Sequence, residues 1–129
     1  MKKNILIVDD HPIVSTGLQA LIEHTGEYGK IYVTNDITSS RLLLRQKDID
    51  IAIIDLELQD ANGMELIKYI HQTHINTKIL VYTMHEELWT IRQLMKEDAD
   101  AIVMKGDNPQ KVLIALRKIE QGKGYFSQQ

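Results

Sequence analysis

The residues of this chain best suited to phosphate and metal chemistry are the adjacent Asp9 and Asp10, a third aspartate at Asp55, a threonine at Thr83 and a lysine at Lys105. Each stands directly after a short apolar run. Asp9-Asp10 follows Ile5–Val8, Asp55 follows Ile51–Ile54, Thr83 follows Ile79–Tyr82 and Lys105 follows Ala101–Met104, while a further run, Ile31–Val33, leads into Thr34-Asn35-Asp36. Ligands of open α/β sheets bind outside the carboxyl ends of the strands. If these runs are parallel strands, three carboxylates, a hydroxyl and an ammonium meet on one rim. Crowded carboxylates repel, and their pKa values rise unless a cation joins them. A hard divalent cation such as Mg2+ resolves the repulsion through oxygen ligands and leaves room for phosphate oxygens. A carboxylate can then attack phosphorus and become an aspartyl phosphate. Phosphoryl transfer asks for positioning and charge stabilisation. Lys105 and Mg2+ supply positive charge, and the Thr83 hydroxyl can hydrogen-bond a phosphoryl oxygen.

Taken singly, these residues have plainer readings. Asp9 or Asp10 could equally cap a helix, Thr83 reads more readily as a surface hydroxyl, and Lys105 as a solvated lysine. The set carries the chemical reading, and Asp55, behind the most apolar run, is its centre.

The elements that must position this set are legible from spacing. The apolar runs are short, β-branched and consecutive, as expected of strands buried on both faces. Between them lie helical repeats. Val14, Leu18, Leu21 and Ile22 share one face, as do Gly63, Leu66, Ile67 and Ile70. Leu88, Ile91, Leu94 and Met95 form a third such face, and Val112, Ala115, Leu116 and Ile119 a fourth. The helix around Thr38–Gln46 is the least periodic, with Thr38-Ser39-Ser40 offering capping hydroxyls. His11-Pro12 and Asn108-Pro109 place prolines where helices begin, and Gly26–Lys30, Ala61-Asn62-Gly63 and Gln121–Gly124 read as turns. Five β–α units predict a doubly wound α/β fold with a five-stranded parallel sheet and helices on both faces.

Composition narrows the function classes. The chain has 129 residues, 43% hydrophobic and 26% charged, enough for one domain with its own core. It contains no cysteine, which excludes thiol catalysis, disulfides and cysteine-based zinc sites. No apolar run approaches the roughly 20 residues that span a bilayer, so no membrane association is expected. The 15 basic and 18 acidic side chains give a net charge of −3, which argues against this domain gripping nucleic acid by itself.

At Ile5-Leu6-Ile7-Val8-Asp9-Asp10-His11, Asp55 with Gly63 eight positions later, Thr83 and Lys105, the chain resembles the receiver domains of bacterial two-component response regulators. The likeness runs from about Lys3 to Gly122. Val8-Asp9-Asp10-His11-Pro12-Ile13-Val14, Thr83-Met84-His85 and Gly124-Tyr125-Phe126-Ser127 resemble the branch whose receiver precedes a LuxR-type helix-turn-helix domain. The resemblance implies the flavodoxin-like strand order 2-1-3-4-5. It also implies that Asp55 takes its phosphoryl group from a phosphohistidine on a sensor histidine kinase. Asp10, Asp55 and the backbone carbonyl of Glu57 would ligate Mg2+, with Asp9 acting through water or one layer out. Thr83 and Lys105 would bond the phosphoryl oxygens, and their movement would shift the surface of the fourth helix, fifth strand and fifth helix. Residues 1–122 would be the receiver, and 123–129 the start of a linker to a DNA-binding domain absent from this chain. A homodimer would form on phosphorylation, DNA would be contacted only through the missing domain, and the protein would be cytoplasmic.

Four positions depart from the family pattern: Gln59 and Gly106 where proline is common, Met84 where a small residue is common, and Ile102 where an aromatic switch residue usually stands. Two rival functions are a degenerate or stand-alone receiver acting as an interaction module and a small hydrolase with an aspartyl-phosphate intermediate. The hydrolase would need an acid at Glu57, two residues after Asp55. Trp89 lies beside the fourth helix's apolar face, where it could meet a partner or pack at the core's edge. Leu113 and Ile114 are surplus apolar residues that mark a candidate dimer or interdomain surface. His71 and His74, at i, i+3 with no third ligand, read as structural.

Overall fold

The computed structural model describes residues 1–59, 61–74, 76–85 and 87–126. The strands are β1 (Ile5–Val8), β2 (Ile31–Thr34), β3 (Ile51–Ile54), β4 (Lys78–Thr83), β5 (Ala101–Met104) and β6 (Tyr125–Phe126). The helices are α1 (Pro12–Thr25), α2 (Ile37–Gln46), α3 (Gly63–Thr73), α4 (Leu88–Lys96) and α5 (Gln110–Glu120). All strand pairs are parallel, in the order β2-β1-β3-β4-β5-β6.

The sheet thus has six strands among the described residues, not five. Tyr125 and Phe126 align with Ala101 and Ile102 and add a short edge strand. Both fall in the stretch that the sequence reading gives to a linker, whose last residues, 127–129, lie outside the described residues.

Alternation along the strands sorts the core into two layers. Leu6, Val8, Ala52, Ile54, Ile79, Val81, Ile102 and Met104 face one way, against residues of α2, α3 and α4 such as Leu44, Leu66 and Leu94. Ile5, Ile7, Ile51, Ile53, Leu80 and Val103 face the other way, against Leu18 and Ile22 of α1 and Val112, Leu116 and Ile119 of α5. β1, β3 and β5 are buried at every position, which is why their sequences are apolar without alternation.

Three details differ from the sequence reading. α2 is capped by Asp36, whose side chain accepts from the Ser39 N–H at 2.6 Å. Thr38-Ser39-Ser40 lie inside the helix, and the buried Ser40 hydroxyl instead bonds the Asp36 carbonyl and the Thr34 hydroxyl, each at 2.7 Å. In α4 the buried face is Thr90, Ile91 and Leu94, while Leu88 and Met95 are exposed. Those two lie about 100° of helix rotation from the centre of that face. In α5, Leu113 is buried and belongs to the core, because α5 covers β4, β5 and β6 together and needs a wide apolar face. Ile114 does remain exposed, as does Trp89 at 72%.

Candidate functional site

The sheet places the site directly. At the carboxyl edge its hydrogen-bond ladder runs one rung past the strands. The Asp9 N–H donates to the Thr34 carbonyl at 3.1 Å, the Asp55 N–H to the Val8 carbonyl at 2.9 Å and the Lys105 N–H to the Thr83 carbonyl at 2.8 Å. These backbones are therefore held as firmly as the strands themselves.

The side chains then meet. Lys105 Nζ lies 2.8 Å from Asp9 Oδ2 and 2.9 Å from Asp55 Oδ2, with all three side chains at most 7% exposed. The other Asp55 oxygen accepts from the Glu57 N–H at 3.2 Å. Burial raises the Asp55 carboxyl above the usual range, and the Lys105 and Glu57 contacts offset that only partly. Burial alone would depress the Lys105 ammonium, but the hydrogen bonds and charges of Asp55 and Asp9 outweigh it and hold it above its ordinary value.

Asp10 and His11 complete the cluster. His11 Nδ1 is 2.9 Å from Asp9 Oδ1, 3.1 Å from Asp10 Oδ1 and 3.6 Å from Asp55 Oδ2. One ligand atom from each of Asp9, Asp10, His11 and Asp55 falls within 4.8 Å of all the others. The Asp10 Oδ1 atom is buried and, despite the nearby imidazole, has no partner in hydrogen-bonding geometry. A buried carboxylate oxygen left this way is what a bound cation would satisfy. The oxygen-rich set fits a hard divalent ion such as Mg2+.

Thr83 ends β4 fully buried, and its hydroxyl accepts from the His85 N–H at 3.0 Å, which leaves its own hydrogen to donate. His85 in turn bridges two carboxylates, with Nε2 2.7 Å from Glu57 and Nδ1 3.1 Å from Glu87 at the start of α4. Gly63 lies under Asp55: the Gly63 N–H donates to the Leu56 carbonyl at 2.7 Å, and a Cβ there would overlap the Asp55 carbonyl oxygen. Asn62 caps α3 through the Met64 N–H.

Of the positions that depart from the family pattern, Met84 is 64% exposed beside the rim, Gln59 and Gly106 are exposed, and Ile102 is buried within β5. Sequence reasoning gave no role to His11 or His85. The available signal was position: His11 directly follows Asp9-Asp10, His85 stands two residues past the end of β4, and Glu57 stands two residues past Asp55.

The family model of the response regulator receiver domain matches residues 5–117. The chain belongs to that family. Relatives agree with the assignment. The nitrate/nitrite response regulator protein NarP of Escherichia coli is 25% identical over 124 residues, covering 96% of this chain and 58% of NarP. The isolated receiver domain of RcsB from Salmonella enterica serovar Typhimurium, with the phosphomimetic BeF3−, superposes with a TM-score of 0.91 at 28% identity, covering 98% of this chain and 94% of that one. RcsB has also been seen as dimers bound to DNA, with the same TM-score and identity and 64% of that chain covered. A two-component response regulator of the LuxR family from Aurantimonas sp. SI85-9A1 gives a TM-score of 0.89 at 30% identity, covering 97% of this chain and 89% of that one. The chain spans about three-fifths of the length of the curated relatives it matches. Among the described residues of this receiver domain, no helix is long and apolar enough to cross a membrane.

Proposed function

We propose that this receiver domain is a phosphorylation-controlled switch in which Asp55 accepts a phosphoryl group from a sensor histidine kinase. The observation that carries the reading is the buried Asp55 carboxylate at the end of β3, with Lys105 Nζ 2.9 Å from one oxygen. The Asp55 carboxylate attacks phosphorus while the donor's leaving group departs in line. Lys105 can follow the developing phosphoryl charge, since it already spans Asp9 and Asp55. The Thr83 hydroxyl keeps a hydrogen for a phosphoryl oxygen.

Asp10, Asp55 and the Glu57 backbone carbonyl would hold Mg2+, with Asp9 acting through water. When bound, the ion supplies charge neutralisation for the carboxylates and the phosphoryl oxygens. The unpartnered Asp10 oxygen supports this assignment.

For the whole protein, the LuxR-family likeness supports residues 1–122 as the regulatory domain of a cytoplasmic transcription regulator, with 123–129 leading to a DNA-binding domain. Phosphorylation would bias a two-state equilibrium and drive homodimerisation. The hydrolase reading loses support from Glu57, whose carboxylate is exposed and turned to His85 rather than toward Asp55.

The test is intact-protein mass after incubation with acetyl phosphate and Mg2+, wild type beside Asp55→Asn. A Mg2+-dependent gain of one phosphoryl group, absent from the variant, is expected. No gain in the wild type from either the small donor or a cognate kinase would reduce the domain to an interaction module.

A further inference from the structure

Lys105 has a neighbour that stands outside the acidic cluster. Tyr82 and Val103 are aligned partners in the β4–β5 pair, and Lys105 follows Val103 by two residues. Side chains two apart along a strand share a face, and the ladder continues to Lys105, whose N–H donates to the Thr83 carbonyl. Tyr82 and Lys105 are therefore diagonal neighbours on the face covered by α1 and α5, a separation that an aromatic and a long side chain can bridge. They do bridge it. Lys105 Nζ stands over the Tyr82 ring, 5.9 Å from its centroid, inside the roughly 6 Å over which a ring face attracts a cation. That attraction is strongest for a desolvated cation, and here the Lys105 side chain is 7% exposed and Tyr82 5%.

Tyr82 also lines a groove of about 480 Å3 whose walls include Ile13, Val14, Leu18, Leu21 and Pro109. Lys105 does not line it, so the phenol ring, and not groove water, is the ammonium's neighbour on this side. Burial raises the Tyr82 phenol above its ordinary pKa, against the opposing charge of Lys105, and the ring meets the ammonium as a neutral group. We propose that Tyr82 is a positioning residue for Lys105: its ring face holds the ammonium against Asp9 and Asp55, and screens it from the groove, so that the charge is in place when Asp55 takes a phosphoryl group. The inference rests on the reading of Asp55 as phosphoacceptor and adds to it the group that steadies the lysine.

The experiment uses the whole 129-residue chain. Tyr82→Phe keeps the ring, and Tyr82→Leu removes it while staying apolar. A third set places phenylalanine with one, two or three ring fluorines at position 82, which keeps the ring's shape and drains negative potential from its face. The rate of Asp55 phosphorylation by acetyl phosphate with Mg2+ should stay within about twofold in Tyr82→Phe and fall about three- to thirtyfold in Tyr82→Leu. It should fall stepwise along the fluorinated set, which decides the matter even where Tyr82→Leu folds poorly. In proton NMR the Lys105 ε-methylene signals should be displaced by the ring current in wild type and Tyr82→Phe, and lose that displacement in Tyr82→Leu. Equal rates across the fluorinated set, or ε-methylene signals that do not move in Tyr82→Leu, overturn the proposal. A faster Tyr82→Leu also overturns it and makes the ring a restraint on Lys105. Failure of every protein to take a phosphoryl group overturns the acceptor reading instead, and the ε-methylene signals then decide by themselves whether the ring holds the ammonium.

Discussion

Replacing Lys105 with methionine tests the electrostatic account of the cluster most directly. Methionine keeps much of the lysine stem's volume, so the main loss is the ammonium. That ammonium lies between Asp9 and Asp55, whose side chains are each only 3% exposed. Removing one partner of a buried ion pair costs about 3–5 kcal/mol, because the remaining charge keeps its desolvation penalty without compensation. Here the lower end applies, since the Glu57 N–H still bonds Asp55 and His11 still faces both carboxylates. The expected loss is therefore about 3 kcal/mol at pH 7. Asp55, whose carboxyl burial already raises, escapes by taking a proton. The loss should then shrink on acidification by up to ~1.4 kcal/mol per pH unit.

The assay is urea unfolding followed by far-ultraviolet circular dichroism. Trp89 is too exposed for its fluorescence to report burial well. Lys105→Met is compared with wild type at pH 5 to 8, and with the double variant carrying Asp55→Asn as well. Removing the uncompensated charge should recover most of the loss in the double variant. A loss below about 1 kcal/mol at pH 7, a loss that does not change with pH, or a double variant no more stable than Lys105→Met would refute this reasoning.

Two further outcomes follow from the same geometry. Gly63→Ala should destabilise the domain by about 1–3 kcal/mol, since its Cβ would overlap the Asp55 carbonyl and lie 3.0 Å from Leu56 Cα; an unchanged urea midpoint would show that the β3–α3 connection yields freely. In the wild type, the raised Asp55 pKa means that the fold binds this proton more tightly than the unfolded chain does. That contribution is fully present below the ordinary aspartate value and is lost as pH rises through the elevated one. Stability of the wild type relative to Asp55→Asn should therefore fall as the pH is raised out of the usual carboxylate range. A rising or flat difference in urea midpoints would contradict the assigned direction.

Much of this architecture is readable from sequence because its strands are buried on both sides. Ile51–Ile54 has no polar interruption, and none is tolerated where every position is covered. Strand-end residues are legible for the same reason: the first polar residue after such a run must stand at the sheet's edge, as Asp9, Asp55 and Lys105 do. β6 escapes this logic. Two residues have no periodicity, and Tyr125 and Phe126 become a strand only because the edge of β5 is there to pair with. The α2 cap is ambiguous in sequence because Asp36, Thr38, Ser39 and Ser40 are all competent caps in isolation. The roles of His11 and His85 depend on which carboxylates the rim brings to them, and residue type alone is silent on that. The family motif marks Gly63, but the reason for a glycine there, the Asp55 carbonyl beneath it, exists only in three dimensions.

Charge balance connects this static picture to switching. Asp9, Asp10 and Asp55 bring three negative charges to the cluster, and Lys105 brings one buried positive charge against them. A phosphoryl group carries about −1.5 to −2, so on the proposed reading phosphorylation of Asp55 deepens a deficit already present. Lys105 cannot serve the new oxygens at its present distances from both Asp9 and Asp55, and its partners must be redistributed. Thr83, offered the same oxygens, is tied through its hydroxyl to the His85 N–H, and His85 is tied to Glu57 and Glu87. On the same reading, a shift of Thr83 toward Asp55 would pull on the β4–α4 connection and the start of α4, where Met84, Leu88 and Trp89 stand exposed. At the position where the family pattern leads one to expect an aromatic switch residue, Ile102 is buried within β5. On that reading, the hydrogen-bonded path through His85 would supply a mechanical link from the phosphoacceptor rim to an apolar surface.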